Sequence, residues 1–377
     1  MRQGHYVEMI ATESEGACFN RCRENDIPAK CYPAKKSFSW RTHMACIGRE
    51  LIAGNYDAVI LNHARLAQAS LGMLPESVVA IPIIHNDSES VYAVACGNRE
   101  AWNVAVAVSH RVFLQARKIL GNKPVVEIPQ GVYLPNFAAR RTPLPEAGLR
   151  LAFVGRLTEP QKGVLLLPEI FDRCRKLGVN ARMSVIGDGP DRLALVNKIR
   201  HYRAENEIRL LGSLPPEAVL QHLLDSDILL MPSRSEGFGI VMLEAMACGC
   251  VPIVSRLEGI TDTVIRDGET GFLIPPDNVP MFAEAVITLR KNTELLQQMS
   301  SNVRRHVEAC FSMDRMGGAY LRLIESGLSG EYPLSRARAS QGSLDQSLVQ
   351  RADYVPNIFR PLLLRVAPRM RTILDKL

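Results

Sequence analysis

The chain has 377 residues, 47% of them apolar and 22% charged, with a formal net charge of +6 at neutral pH. That length suits two domains and that apolar share supports a sizeable core, which excludes a disordered or fibrous chain. The mild positive balance permits an anionic ligand or lipid surface but does not call for nucleic acid.

Read in chain order, β-rich apolar runs are expected as strands at Val7–Thr12, Asp57–Asn62, Val78–His85, Val104–Ser109 and Val125–Ile128. Helix-forming stretches lie between some of them, such as Arg49–Ala53 and Arg111–Leu120. A second series follows at Leu151–Val154, Arg182–Ile186, Ile208–Leu211, Ile228–Met231, Val251–Val254 and Gly271–Ile274. Strands alternating with helices predict right-handed βαβ units and parallel sheets. The fold class is α/β, with two Rossmann-like domains facing across a cleft. Residues 1–134 form the first, acceptor-side domain, 135–150 a Pro-rich linker with two adjacent arginines, 151–328 the second, and 329–377 a linker and tail.

No run of about 18 apolar residues occurs, so no membrane-spanning helix is expected. The stretch MRQGHYVEMIATESEG lacks an apolar signal core followed by a cleavage site. Nine scattered cysteines argue for reduced thiols and a cytoplasmic protein. Cys18-x3-Cys22 and Cys248-x-Cys250 lack paired metal-ligand spacing and are expected as small buried hydrophobes.

The most informative segment is 233–250, SRSEGFGIVMLEAMACGC. Glu236 and Glu244 are separated by seven residues, and Gly237 and Gly239 flank Phe238. An apolar strand, Ile228–Met231, precedes this stretch, and good helix formers follow from about Gly239 to Ala247. The order is therefore strand, glycine turn, helix. Glycines there let backbone approach a ligand, and free N–H groups at the helix start favour an anion or sugar hydroxyls. Both glutamates would face one cleft at the carboxyl end of a strand, where open α/β sheets bind ligands.

Glu236-x7-Glu244 inside PSRSEGFGIVMLEAMACGCVPIV resembles the signature of the retaining glycosyltransferases of family 4, which have the GT-B fold. In the family's order, IPIIH, VAVAVS and IPQGV match the first domain; FVGRLTEPQKG, VIGDGP, IRLLGSLPPEAV and IRDGETGFLIPPDN match the second. The likeness runs over roughly residues 4 to 325. It implies transfer from a nucleotide diphosphate sugar to a saccharide or lipid-linked acceptor, in cell-surface glycan or polysaccharide synthesis. By resemblance Arg156 and Lys162 hold the donor diphosphate, where cations offset the charge of the leaving group. Glu244 is expected on the ribose hydroxyls, and Glu236 on the sugar with the backbone N–H groups of Gly237, Phe238 and Gly239. The base is expected near Leu211, held by backbone groups, and the IGDGP turn at 186–190 is expected to line the donor cleft. His85, at the end of an apolar strand, matches the family's sugar-contacting histidine; His63 is a further acceptor-side candidate. No Asp-x-Asp-like metal site is visible, so neither metal nor cofactor is implied beyond the donor itself. Retention on one sugar face needs no protein nucleophile, and a glycosidase would need two carboxylates across the scissile bond, whereas nothing here resembles a water-activating second acid.

The amino-terminal stretch departs from the family pattern. RQGHYVEMIAT resembles the family's second strand, so the first βα unit is expected to be missing and the start to lie upstream of Met1. Alternatively Val7–Thr12 is the first strand and Glu13–Gly16 a degenerate loop. At the other end, IFRPLLLRVAPRMRTILDKL mixes an apolar stripe with arginines. It would either rest on anionic lipid at the inner face of the cytoplasmic membrane or dock on the protein's own surface. Rival readings are a non-catalytic remnant that binds nucleotide or a partner, and a sugar-phosphate synthase.

Overall fold

The computed structural model describes residues 5–12, 22, 26–33, 40–135 and 148–334. The polar stretch Ser335–Ser347, the basic tail, the Glu13–Gly16 loop and most of the Pro-rich linker lie outside the described residues. In the first layer the order is β1 (Met9–Ala11), β2 (Ala29–Cys31), α1 (Trp40–Ala53), β3 (Ala58–Leu61), α2 (Arg65–Ser70), β4 (Val79–Ile84), α3 (Glu89–Ala95), β5 (Ala105–Ala107), α4 (His110–Leu120) and β6 (Val125–Glu127). The strands β3-β4-β5-β6 form a parallel four-stranded sheet, and β1 pairs in parallel with β2 in a separate two-stranded one. Among the described residues no ladder joins the two.

The residues explain the elements. Every side chain of β4 is buried, as expected of a strand covered on both faces. In α4 the Ser109 side chain accepts from the Val112 N–H, and the buried positions Val112, Ala116 and Leu120 recur every fourth residue. The first helix runs nine residues further toward the amino terminus than expected from sequence, because Met44, Ile47 and Leu51 repeat on one buried face.

The second layer begins with β7 (Leu149–Val154), followed by α5 (Glu159–Lys162), α6 (Leu167–Lys176), β8 (Ala181–Ile186), α7 (Arg192–His201), β9 (Ile208–Gly212), α8 (Pro216–Leu224), β10 (Ile228–Met231), α9 (Ile240–Ala247), β11 (Val251–Ser255), β12 (Phe272–Ile274), α10 (Val279–Lys291), α11 (Thr293–Cys310) and α12 (Met313–Leu328). Leu149 and Arg150, placed in the linker by the sequence reading, belong to β7: Arg150 N–H donates to the buried Asp227 carboxylate at 2.9 Å. All six strands are parallel in the order β12-β11-β10-β7-β8-β9. The winding reverses between β7 and β10, which makes their carboxyl ends a topological switch point, the place where such sheets bind ligands.

Residues 311–332 return to the first layer, a crossing that a domain boundary at 328 does not anticipate. Val132 and Ser312 form a bridge, the Val132 N–H donates to Phe311 O at 2.9 Å, and Met313 N–H donates to Val132 O at 3.1 Å. Farther on, the Asn103 Nδ2 amide donates to Tyr332 O at 2.9 Å. No helix among the described residues is long and apolar enough to cross a membrane.

At the switch point the loops are locked by backbone contacts. Gly155 N–H donates to Ile186 O at 3.0 Å, Leu157 N–H to Asp188 O at 2.9 Å and Gly187 N–H to Gly212 O at 2.8 Å. A Cβ on Gly187, whose φ is +130°, would lie 1.9 Å from Gly155 O. Gly187→Ala should therefore cost about 2–4 kcal/mol in urea unfolding, from clash and strain together. Gly121→Ala, at φ +61° and ψ −117° with open space around it, should cost about 1–3 kcal/mol, from backbone strain alone. Equal losses would show that the loop contact is not tight.

Candidate functional site

Strand β10 is buried throughout and delivers Pro232–Gly239 to the cleft. Gly239 adopts the left-handed conformation, φ +83°, and starts α9, which turns the chain sharply between strand and helix. Gly237 has a different reason to be glycine: a Cβ there would lie 2.1 Å from His85 O, across the cleft. The Glu236-Gly237 turn thus touches the end of β4 in the first layer.

Glu236 is 6% exposed and would be costly to bury charged without a partner. Lys162, from the short α5 turn after β7, supplies one: its Nζ donates to Oε1 at 2.7 Å and Oε2 at 2.8 Å. This pair sits in a cavity of about 460 Å³ lined from both layers, by His85, Asn86, Val108 and Gln130 on one side and by Gln161, Lys162 and Glu236–Val241 on the other. The structure therefore brings together His85, Lys162, Glu236, Gly237, Phe238 and Gly239. Phe238 takes part by its backbone position, since its ring is buried and 6.3 Å from that of Phe311.

The remaining expected residues lie outside this lining. Arg156 is exposed on the loop after β7, and Leu211 is half-buried in β9. Glu244 is half-buried one helical turn beyond Ile240. Ile240, Val241 and Glu244 are the accessible positions of α9, all others being buried, so Glu244 continues the stripe that lines the cavity. Toward the helix end, burial and then the Glu244 carboxylate push the Cys248 thiol up to about 12. Cys248 and Cys250 are both buried, as expected, whereas Cys22, expected to be buried too, is half-buried; Cys18 lies outside the described residues. The IGDGP turn does not line this cavity; Gly189 lies where a Cβ would come within 2.4 Å of Leu157 O, so this turn serves the loop packing.

His85 directly follows β4, and its Nε2 shares a hydrogen bond with the Asn62 side chain. Burial, with neighbouring His63 contributing less, lowers its pKa below the ordinary value. Among the described residues no group of three His, Cys, Asp or Glu is arranged to hold a metal ion. Sequence reasoning gave no role to Asn62, Gln130, Gln161 or Arg234. Gln130 sits in the IPQGV motif and could have been singled out. Arg234 gave no signal, because its partners Glu159 and Asp277 stand 75 and 43 positions away.

Lowered histidine pKa values make stability depend on pH. Burial also lowers His306. Between the lowered values and the unfolded value of 6.5, the folded chain binds fewer protons than the unfolded one. Stability is full above that range and is lost as pH falls through the folded pKa values. The urea midpoint should drop between about pH 7 and about pH 5, and His85→Gln should remove part of that drop. An unchanged slope would mean that His85 charges freely in the fold.

Residues 137–306 match the glycosyl transferases group 1 family. The chain is 27% identical over 278 residues to the N-acetyl-alpha-D-glucosaminyl L-malate synthase of Bacillus anthracis, spanning 68% of this chain and 70% of the relative. It is 28% identical over 303 residues to the phosphatidyl-myo-inositol mannosyltransferase of Mycobacterium tuberculosis, spanning 75% and 78%. Among solved structures, Anabaena HepE in complex with UDP and glucose superposes with a TM-score of 0.69 at 18% identity, over 85% of this chain and 91% of that one. Residues 137–306 thus resemble a group 1 glycosyltransferase domain, and the chain has a GT-B fold of two parallel α/β layers.

Proposed function

We propose that the protein is a retaining glycosyltransferase of family 4 that moves a hexose-type residue from a nucleotide diphosphate sugar to a saccharide or lipid-linked acceptor. The observation that carries this reading is the Lys162–Glu236 pair, buried in a two-layer cleft at the switch point of the second sheet. A relative named as a phosphatidyl-myo-inositol mannosyltransferase supports a lipid-linked acceptor. The nucleotide and sugar in the HepE complex support a nucleotide-sugar donor.

In this reading Lys162 and Arg156 face the diphosphate and offset its charge as it leaves, so no metal ion is required. Glu244 accepts from the ribose hydroxyls, Leu211 lies beside the base, and Glu236 with the N–H groups of 237–239 holds the sugar. The bond from the anomeric carbon to the diphosphate breaks, and the bond to the acceptor oxygen forms on the same face. The acceptor proton passes to the departing phosphate, so no side chain acts as nucleophile. His85, kept neutral by burial, offers a hydrogen bond to the sugar without bringing a second positive charge.

Glu244→Ala should weaken nucleotide-sugar binding by on the order of 1.5–3 kcal/mol, read by calorimetry, because ribose hydroxyls lose a charged acceptor. Glu236→Ala should cut turnover of UDP-, GDP- or ADP-sugars, measured on the folded fraction because the change also leaves Lys162 unpaired. Wild-type transfer rates in both variants would remove the assignment.

Arg156→Ala and Lys162→Ala should each depress turnover more than they weaken binding of the free nucleoside. Chelator should leave activity nearly intact, and a strict Mg²⁺ or Mn²⁺ requirement would contradict the cationic cradle. An acceptor screen that includes sugar phosphates separates transfer to glycans from sugar-phosphate synthesis.

A further inference from the structure

Lys162 and Glu236 come from different loops, and neither loop is rigid on its own account. The α5 turn that carries Lys162 is four residues long, and Glu236 stands in a stretch without regular structure. One side chain joins them. Arg234 Nε donates to Asp277 Oδ1 at 2.7 Å, one terminal nitrogen donates to Glu159 O at 2.5 Å, and the other donates to Glu159 Oε1 at 2.9 Å. Its backbone N–H donates to Gln161 O at 2.8 Å. Glu159 is itself bound at both ends: its N–H donates to Asp191 Oδ2 at 2.7 Å, and its Oε2 accepts from Leu165 N–H at 2.6 Å. Asp277 adds a constraint of its own, since it adopts φ +62°, a conformation aspartate tolerates but does not prefer.

We infer that Arg234 is the positioning residue of the cleft, fixing the α5 turn against the β10 loop so that the Lys162 ammonium meets both oxygens of Glu236. The guanidinium suits this task because it is planar and presents several donors in a fixed fork, which reach three acceptors on two loops at once. Lysine at 234 would offer a single point charge and could not hold both loops. Arg234 lines no part of the cavity, so it acts through Lys162 and Glu236. The inference about turnover rests on the transferase reading; the inference about the loop does not.

The test compares the full chain with Arg234→Ala, Arg234→Lys and the milder Asp277→Ala, with Arg256→Ala as control. Arg256 pairs with Asp267 at 2.9 Å on an exposed surface and should behave as wild type. Amide hydrogen exchange over residues 159–165 should speed up in Arg234→Ala and Arg234→Lys, and less in Asp277→Ala, while the melting temperature stays near that of the control. Turnover should fall about 10–100-fold in both Arg234 variants. Affinity for uridine, guanosine or adenosine, whichever free nucleoside the wild type binds, should change by less than about threefold, since a nucleoside carries no diphosphate for Lys162 to meet. Unchanged exchange at 159–165 in Arg234→Ala overturns the inference, as does unchanged turnover. A wild type that transfers no sugar counts against the transferase reading, and exchange then decides the role of Arg234 alone. Should Arg234→Ala unfold, the same readouts on Asp277→Ala decide it.

Discussion

The cleft depends on a backbone approach that admits no side chain. A Cβ at position 237 would stand 2.1 Å from the His85 carbonyl and 2.8 Å from Asn86 Cβ, so the two layers touch there only because residue 237 is glycine. A second contact of the same kind lies at α4, where the Arg111 N–H donates to Gly259 O at 2.9 Å and a Cβ on Gly259 would come within 2.8 Å of Arg111 N. Two loops of the second layer thus meet the end of β4 and the start of α4 in the first layer at backbone distance. Close-packed contacts of this type leave no slack, and they set the spacing at which Glu236 and His85 share one cavity.

Buried charge follows the same geometry. Glu236 is held beneath the touching turn, where it exchanges few contacts with water and has Lys162 as its partner. Breaking such a pair by removing one member leaves the other uncompensated, which couples the α5 turn to the β10 loop as firmly as any hydrophobic contact. The second layer therefore carries its paired charges on loops that are themselves braced, while the first layer contributes His85, Asn86 and Gln130 at the ends of its strands. That division suits a donor held rigidly on one side and an acceptor approached from the other.

Much of this was legible in the sequence because the relevant signals are local. The glycines, Phe238 and Glu236 lie within four consecutive positions, and a strand followed by glycine and helix formers has one natural reading. The eleven expected strands all appear, Ile228–Met231 with both expected ends and the others with boundaries moved by at most two residues. What escaped is nonlocal or weak in pattern. Strand β2, Ala-Lys-Cys, has no β-branched residue and exists through its pairing with β1. The first half of α1 reads as a mixed polar stretch until Met44 and Ile47 are seen on one buried face. The return of 311–332 to the first layer depends on hydrogen bonds to Val132 and Asn103, and the Arg234 clamp on partners in two distant loops. Glycine motifs announce a tight approach in sequence; the residue on the far side of that approach is not announced.

Donor counting at Lys162 joins the resting structure to the proposed chemistry. A lysine ammonium carries three N–H donors. At most two of them are used on the two oxygens of Glu236, and the side chain is 20% exposed. At least one donor remains for an incoming anion, so Lys162 can meet a diphosphate without first abandoning Glu236. Had the pair been made through a single oxygen, an arriving phosphate could have turned the ammonium away and left a buried carboxylate unpaired. With both oxygens engaged, the carboxylate stays compensated while the lysine's outward face meets new charge. On the proposed reading, the arrangement would hold an incoming anion beside a buried one, as transfer of sugar from a diphosphate requires.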